Sequence, residues 1–454
     1  MWERGKITLR LKSILINPWV YDFALMNLWS RPLGLLRVAE YMSRFDLEMG
    51  FIDCMDVIAP GGLKRYGTGN YPRTIVKKPR VLEQVPRYFA RYGMSIDTFR
   101  EKLKKSLPCD FVFVTSVMAY WYPGVQKVIE IVKELSPQTP VILGGIYATL
   151  YHEHALKKSG ADIVYRGHIG SDIETVLRRF GFSMKKQDQP RPYYRLGLYQ
   201  NPSFAPLLTS YGCPFRCAYC ASFRLFQGFT QRNPFSVLEE IESLYKAGVR
   251  DFAFYDDALL VNADSHINVI LREIIKKRIT VRFHCPNGLH ARLIDDEQAY
   301  LMKESGFTTL RLGFETINDT RQQTTGGKVT GGILRLAIKN LKRYGFRKEY
   351  IGVYLMYGLP GQEFEEVKEG IEFLKGLDIR IHLTEFSPIP NTPCWEELLD
   401  KGVIESSIDP IVTNNTVFSY LYSNYDRQDL KSTKLAVKEY NKEYSSERVI
   451  KMGL

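Results

Sequence analysis

Residues 204–220, FAPLLTSYGCPFRCAYC, set an apolar run directly against a cysteine-bearing loop. Leu207–Tyr211 predicts a strand; Gly212 and Pro214 break it into a loop that holds Cys213, Cys217 and Cys220. The same grammar recurs downstream. Strands are predicted at Phe252–Tyr255, Val281–His284, Leu310–Phe314, Ile351–Met356 and Ile381–Phe386. Helical patterns separate them at Val237–Ala247, Glu297–Ser305, Ile333–Tyr344 and Glu365–Leu374. Six strand–helix units predict a partial (β/α)6 barrel over 204–400, too few for eight-stranded closure. A small extension over 401–454 is irregular until a charged helix near 427–443.

Upstream, Ser13–Ile16, Phe51–Asp53, Phe111–Val114, Val141–Leu143 and Asp162–Tyr165 alternate with helical patterns such as 33–43 and Val125–Leu135. This predicts an α/β domain over 1–182, a doubly wound (Rossmann- or flavodoxin-like) parallel sheet. Pro18, Ser116, Gly144, Gly145 and Gly167 fall at strand ends, where ligands of such sheets sit. Small residues there let a ligand approach the backbone. Residues 183–203, with KKQDQPRPYY and Asn201-Pro202, predict a linker.

Composition limits the classes. In 454 residues, 45% are hydrophobic and 25% charged, which excludes disordered and fibrous chains. No apolar run reaches the ~18 residues of a membrane span, and MWERGKITLRLKSILINP lacks a signal core. Seven cysteines are too few, and odd in number, for a secreted disulfide scaffold, so a reducing cytoplasm is expected. Of the net charge of +12, residues 57–108 carry +9, from twelve Lys and Arg against Glu83, Asp97 and Glu101. Such a basic insertion suits a phosphate, an anionic lipid or an acidic substrate, and equally a solvated face. No helix-turn-helix or aromatic platform indicates nucleic acid.

The cysteines carry the chemistry. Three thiolates within eight residues can share one metal centre. A structural zinc site wants four ligands and would have to borrow Cys285, His284 or Cys394. Three cysteines without an adjacent fourth suit a 4Fe–4S cluster with one iron left open.

The C-x-x-x-C-x-x-C spacing, with Tyr219 before the last cysteine and a strand before the first, resembles the radical S-adenosylmethionine superfamily over about residues 204–400. The resemblance implies that the open iron binds the amine and carboxylate of S-adenosylmethionine. Reductive cleavage would then give a 5′-deoxyadenosyl radical that abstracts hydrogen from substrate. It also places Asp256 and Asp257 where the family often has a Gly-Gly-Glu motif at the cofactor's amino group. Asn287 and Glu315 fall near its methionine and ribose, and Gly358 and Pro360 beside its adenine. From the residues alone, Asp256 and Asp257 also read as helix N-caps, Glu315 as a partner of Arg311 or Lys328, and Gly358–Gly361 as a turn. His284 and His290 read as structural histidines, and no residue is assigned a catalytic role. An electron donor such as flavodoxin or ferredoxin is implied as a partner. A small-molecule or peptide substrate, anionic ones included, is implied with it.

The front segment has its own resemblance. INP after the first strand, PLGLLRVAEYM, VTS, ILGGIYATL and ADIVYRGHIGSDIETVL resemble the cobalamin-binding domain of one radical subgroup over about residues 12–180. Gly167-His168-Ile169-Gly170 stands where that subgroup usually reads Gly-Glu-Gly-Glu. The first histidine is His152, far beyond the loop from which some cobalamin domains ligate cobalt. The resemblance thus implies a corrin held at Pro18, Ser116, Gly144, Gly145 and Gly167 with no histidine beneath it. Methyl transfer to an unactivated carbon is the expected reaction. The alternatives are a rearrangement, cyclisation or oxidation without cobalamin, the front domain merely capping the barrel or holding substrate, and a non-catalytic metal protein that docks a partner.

Overall fold

Ser13, Ile14, Leu15 and Ile16 are buried in succession, as in a strand covered on both faces. They lie in β1 (Leu11–Asn17), which pairs in parallel with β2 (Leu47–Asp53) on one side and β3 (Phe111–Val114) on the other. With β4 (Val141–Leu143) and β5 (Ile163–Val164), the order is β5-β4-β3-β1-β2. That is the flavodoxin-like order, whose switch point lies between β1 and β3. Alternation along the strands divides the core. Ile14, Ile16, Val112 and Val114 pack with Phe99, Leu103, Val125 and Val128, while Leu15, Phe111 and Phe113 pack with Leu35, Ala39, Met42 and Ile173. The structure, a computed structural model, describes residues 10–187 and 197–443. The chain divides into two compact units, 1–200 and 201–454.

Residues 57–108 do not form a single insertion. Ile96–Ser106 is the crossover helix itself, capped where the Thr98 amide donates to Ser95 Oγ at 3.0 Å, with Phe99 and Leu103 buried. Arg100, Lys102, Lys104 and Lys105 belong to this helix. Within the remainder, Ala90–Tyr92 pairs antiparallel with Val20–Asp22, just beyond the end of β1, and on its other side with Arg73–Ile75. The true insertion therefore stands at the carboxyl ends of the strands. The start of the expected linker is also tied down: the Asp46 amide donates to Lys185 O at 2.8 Å. Tyr199 packs into the first unit, its hydroxyl donating to Asp53 at 2.5 Å. The linker's residues 188–196 lie outside the described residues.

In the second unit β6 (Ala205–Leu207), β7 (Asp251–Phe254), β8 (Arg282–His284), β9 (Phe307–Glu315), β10 (Ile351–Tyr357) and β11 (Arg380–Glu385) are parallel and follow chain order. Among the described residues β6 and β11 do not pair, so the barrel is open. The expected strand Leu207–Tyr211 stops at Leu207. Ser210–Tyr211 pairs antiparallel with Thr230–Gln231 instead, because the amides of Thr209 and Ser210 turn to Asp256. Leu310, Leu312 and Phe314 on β9 are fully buried, and Phe314 stacks at 5.5 Å on Phe373 of the helix Phe364–Gly376. Arg311, Gly313 and Glu315 share the other face. The C-terminal helix Arg427–Lys442 covers the open edge of β11: Asn441 donates to Ile381 O at 2.7 Å and accepts from its amide at 3.0 Å. No helix among the described residues is long and apolar enough to cross a membrane.

Candidate functional site

Each residue singled out in the second unit lies at or beyond the carboxyl end of a strand, where the loops of such folds place their chemistry. The cysteine loop is docked on the segment after β9. The Ala218 amide donates to Thr325 O at 3.0 Å, and the Cys394 amide to Ala218 O at 3.0 Å. Gly326, at φ +129°, lies so close that a Cβ there would stand 3.0 Å from Cys217 Cα. The Ser222 amide donates to Cys220 Sγ at 3.5 Å. All seven cysteines are free. Burial pushes the Cys220 thiol up to about 12 and raises Cys213 as well, so a bound metal must displace their protons.

The three thiols do not converge, among the described residues, on a site for a single ion. His284 is committed to Thr309 Oγ1 at 2.9 Å and Asp251 at 3.0 Å. These bonds take His284 out of the candidate zinc ligands. A cluster, in which each thiolate takes its own iron, needs no such convergence.

The two aspartates after β7 have different tasks. Asp256 is buried, and its Oδ1 accepts from the amides and hydroxyls of both Thr209 and Ser210 at 2.6–2.9 Å. Asp257 accepts from Ser222 Oγ at 2.6 Å, and its charge raises the pKa of Cys213 and Cys220. Asp257 is thus the carboxylate beside the cysteines, and Asp256 fixes the exit from β6. Neither caps a helix; the next α-helix begins at Ile267.

Glu315, at the end of β9, is buried at φ +65° with Lys328 Nζ 3.5 Å away, so Lys328 rather than Arg311 is its partner. Tyr219 hydrogen-bonds Glu315 and lies beside Cys217. Burial raises the pKa of Glu315, and Lys328 and Tyr219 oppose that rise. Asn287 Nδ2 donates to Tyr255 O at the end of β7, at 2.9 Å. The Gly358–Gly361 turn is held by Arg321, which donates to Pro360 O at 2.9 Å and Gly361 O at 2.8 Å, and by Tyr425, whose hydroxyl accepts from the Gly358 amide at 3.3 Å. His290 is buried and stacks on Phe215 at 4.1 Å; burial, Lys328 and Arg292 push its pKa down to about 3. It stays structural.

The structure therefore gathers Cys213, Cys217, Cys220, Tyr219, Asp257 and Glu315. It ties Asp256, Asn287, Gly358 and Pro360 to separate supports on the same rim. Ser222, Arg321 and Gly326 were not anticipated; the Gly326-Gly327 pair was the available signal for close backbone approach.

In the first unit, Ser116 Oγ accepts from the Tyr147 amide at 2.8 Å. Gly145, at φ +90°, lies against it, where a Cβ would stand 2.5 Å from Ser116 O. These two build the turn after β4. Gly144 and Gly167 face open space instead, with nothing within 4 Å of a would-be Cβ. Pro18 is buried beside the end of β1. The strand-end residues thus divide into turn-builders (Ser116, Gly145) and open positions (Gly144, Gly167).

Residues 207–374 match the radical SAM superfamily. The chain is 25% identical over 356 residues to an uncharacterized methyltransferase of Pyrococcus horikoshii, spanning 68% of this chain and 75% of that one. It is 22% identical over 347 residues to an anaerobic magnesium-protoporphyrin IX monomethyl ester cyclase of Rubrivivax gelatinosus, spanning 68% of this chain and 61% of the cyclase. Among solved structures it is similar to the radical S-adenosylmethionine methyltransferase TsrM of Kitasatospora setae, determined with cobalamin and a 4Fe–4S cluster bound. That TM-score is 0.61 at 18% identity, over 86% of this chain and 75% of TsrM. OxsB, a cobalamin-dependent S-adenosylmethionine radical enzyme solved with aqua-cobalamin, gives 0.51 at 14% identity, over 88% of this chain and 56% of OxsB. At these identities the two structures establish the fold.

Proposed function

The chain carries a radical SAM domain and is a radical SAM enzyme, and from that premise we propose that it uses cobalamin to transfer a methyl group to an unactivated carbon of its substrate. The carrying observation is a pairing of two sites. One is the Cys213–Cys220 loop docked on Gly326 beside Tyr219, Asp257 and Glu315. The other is a flavodoxin-like sheet with open glycines at its strand ends. The methyltransferase name of the Pyrococcus relative and the likeness to TsrM support the same reading.

The residues present fit the groups this reading requires. Cys213, Cys217 and Cys220 would hold a 4Fe–4S cluster. Asp257, Asn287, Glu315, Gly358 and Pro360 would meet S-adenosylmethionine, and Asp257, beside the thiols, suits its ammonium. Gly144, Gly167 and Pro18 would meet the corrin. The cluster and S-adenosylmethionine supply one-electron chemistry that activates an unreactive C–H bond, and cobalamin supplies the methyl carrier. The protein's own part is to hold Glu315 through Lys328 and Tyr219, to present Asp257 through Ser222, and to fix the cysteine loop on Thr325. A reducing cytoplasm with a flavodoxin- or ferredoxin-type donor suits thiols that must stay reduced.

Anaerobic reconstitution with cobalamin supplied tests it. About four iron per chain are expected, lost when Cys213, Cys217 and Cys220 all become Ala. The corrin spectrum should lack a protein-histidine ligand from the loop after β1, since the first histidine of the sequence is His152. No corrin binding would favour the second reading, a cyclisation like that named for the Rubrivivax relative. A protein that holds only zinc would overturn both.

A further inference from the structure

Arg311 on β9, Gly352 on β10 and Arg380 on β11 lie side by side in one row of the sheet. In an adjacent row Tyr354 faces His382. Their neighbours Leu310, Leu312, Ile351, Val353 and Ile381 are buried, so this set occupies the face turned away from the helices. Gly352 leaves room for the side chains to converge. A Cβ there would lie 2.6 Å from His382 Nε2 and 3.0 Å from Arg311 Cδ.

Two guanidiniums thus share a row with nothing to neutralise them. Among the described residues neither Arg311 nor Arg380 has a carboxylate within 4.0 Å, whereas Arg232, Arg282 and Arg321 in the same unit pair with Glu240, Asp251 and Glu366. Arg311 spends donors on Leu310 O at 3.0 Å and on Tyr354. Arg380 Nε and His382 Nε2 are enclosed and have no hydrogen-bond partner. Burial lowers both guanidinium pKa values, and burial with the two arginines pushes His382 down to about 2. Enclosed like charges without a counter-ion cost stability, and such a cost persists where a ligand repays it. A cavity of about 550 Å³ along the edge of β11 reaches Arg380 and His382, and its wall adds Lys434, Lys438 and Lys442 against Glu385, which is bound to Lys434 at 2.8 Å.

We infer that Arg311, Arg380 and His382 bind an anionic oxygen group of the substrate, a carboxylate or a phosphate, on the inner face of β9–β11. Arg311 and Arg380 supply the counter-charge, in the manner guanidiniums hold either group. The inference rests on reading the strand-end rim as the reaction site. Arg311 stands four residues before Glu315, about 13 Å along the strand, so the anionic end of the substrate would anchor below the rim.

The full reconstituted chain is titrated with sodium phosphate, sodium acetate and sodium chloride at matched ionic strength. The readouts are Tm and the His382 imidazole resonance, assigned with His382→Gln. Phosphate or acetate should raise Tm and shift that resonance while chloride does neither, and the stronger of the two names the group. Arg380→Met should raise the ligand-free Tm by about 2 °C or more and weaken the anion response at least tenfold; Arg311→Met should weaken it likewise. An equal response to chloride, an undiminished response in both Met variants, or a lowered ligand-free Tm in Arg380→Met would overturn the proposal. Iron content of the same samples judges the cysteine site separately. Four iron without an anion response removes only this inference, and missing iron with the response intact removes only the cofactor reading.

Discussion

Asp256 Oδ1 accepts both the amide and the hydroxyl of Ser210, each at 2.6 Å. Thr209 repeats the arrangement at 2.9 and 2.8 Å. Four donors on one buried oxygen turn the chain sharply out of β6, three residues before Cys213. The carboxylate therefore sets where the cysteine loop begins without touching a cysteine.

Asp256→Ala should damage both fold and cluster. Each buried donor left unpaired costs about 1–3 kcal/mol, so urea unfolding should show a loss of several kcal/mol and iron content should fall below half. Ser222→Ala, which removes only the bond to Asp257, should keep its stability within about 1 kcal/mol. An Asp256→Ala protein with unchanged unfolding and full iron would show that the loop is set by other contacts.

The sequence made the strand order of the second unit readable because each βα unit repeats one periodicity, and Leu310, Leu312 and Phe314 alternate with polar residues. The end of β6 was not readable. Thr209-Ser210-Tyr211 has good strand propensity, and only the distant Asp256 diverts it. The cysteines and Glu315 were legible from spacing and position. Arg321 was not, since its partners Pro360, Gly361 and Glu366 meet it only in the fold. In the first unit Gly144 and Gly145 looked equivalent; their difference lies in the Ser116 backbone that only Gly145 approaches.

That difference separates folding from binding. Gly145→Ala puts a side chain at φ +90° and 2.5 Å from Ser116 O, which costs about 1–3 kcal/mol or more. Gly144→Leu enters open space, so Tm should hold while corrin affinity drops at least tenfold. Spectrophotometric titration of cobalamin into both variants decides it; undiminished affinity in Gly144→Leu would remove the corrin from the end of β4.

Stability should fall on mild acidification. Burial lowers the pKa of His266, His284, His290 and His382, the last two to about 3 and about 2. Above the unfolded value of 6.5 both states are neutral, and the stability is fully present. As pH falls below it, the unfolded chain takes up protons that the folded chain refuses, at about 1.4 kcal/mol per pH unit for each such histidine. Asp256, raised to about 6 by burial, and Asp53, Asp257 and Glu315, raised by burial as well, act in the opposite sense once pH falls below their folded values, so the decline is steepest between pH 7 and 6. Urea unfolding at pH 7, 6 and 5 should show the decline. His382→Gln should flatten it by about 1.4 kcal/mol per unit, and an unchanged slope would mean that His382 titrates freely.

The turn that carries Gly358 and Pro360 depends on a planar fork. Arg321 Nε meets both oxygens of Glu366, at 3.0 and 3.1 Å, while its other nitrogens reach Pro360 O and Gly361 O at 2.9 and 2.8 Å. Glu366 also accepts from Thr316 Oγ1 and from Gln362 Nε2, the latter at 3.2 Å, so the carboxylate is anchored both to the strand end that follows Glu315 and to the turn itself. A lysine would keep the charge but could not bridge a carboxylate and two carbonyls at once. If the turn flanks S-adenosylmethionine, Arg321→Lys should raise its Kd about tenfold, a loss of about 1.4 kcal/mol, and leave iron content unchanged because the fork's hydrogen bonds run to Glu366, Pro360 and Gly361 and not to Cys213, Cys217 or Cys220. Equilibrium binding to the reconstituted protein measures both. A wild-type Kd in Arg321→Lys, together with a lowered Tm, would make the clamp a brace for β10 and take Gly358 and Pro360 out of the cofactor site.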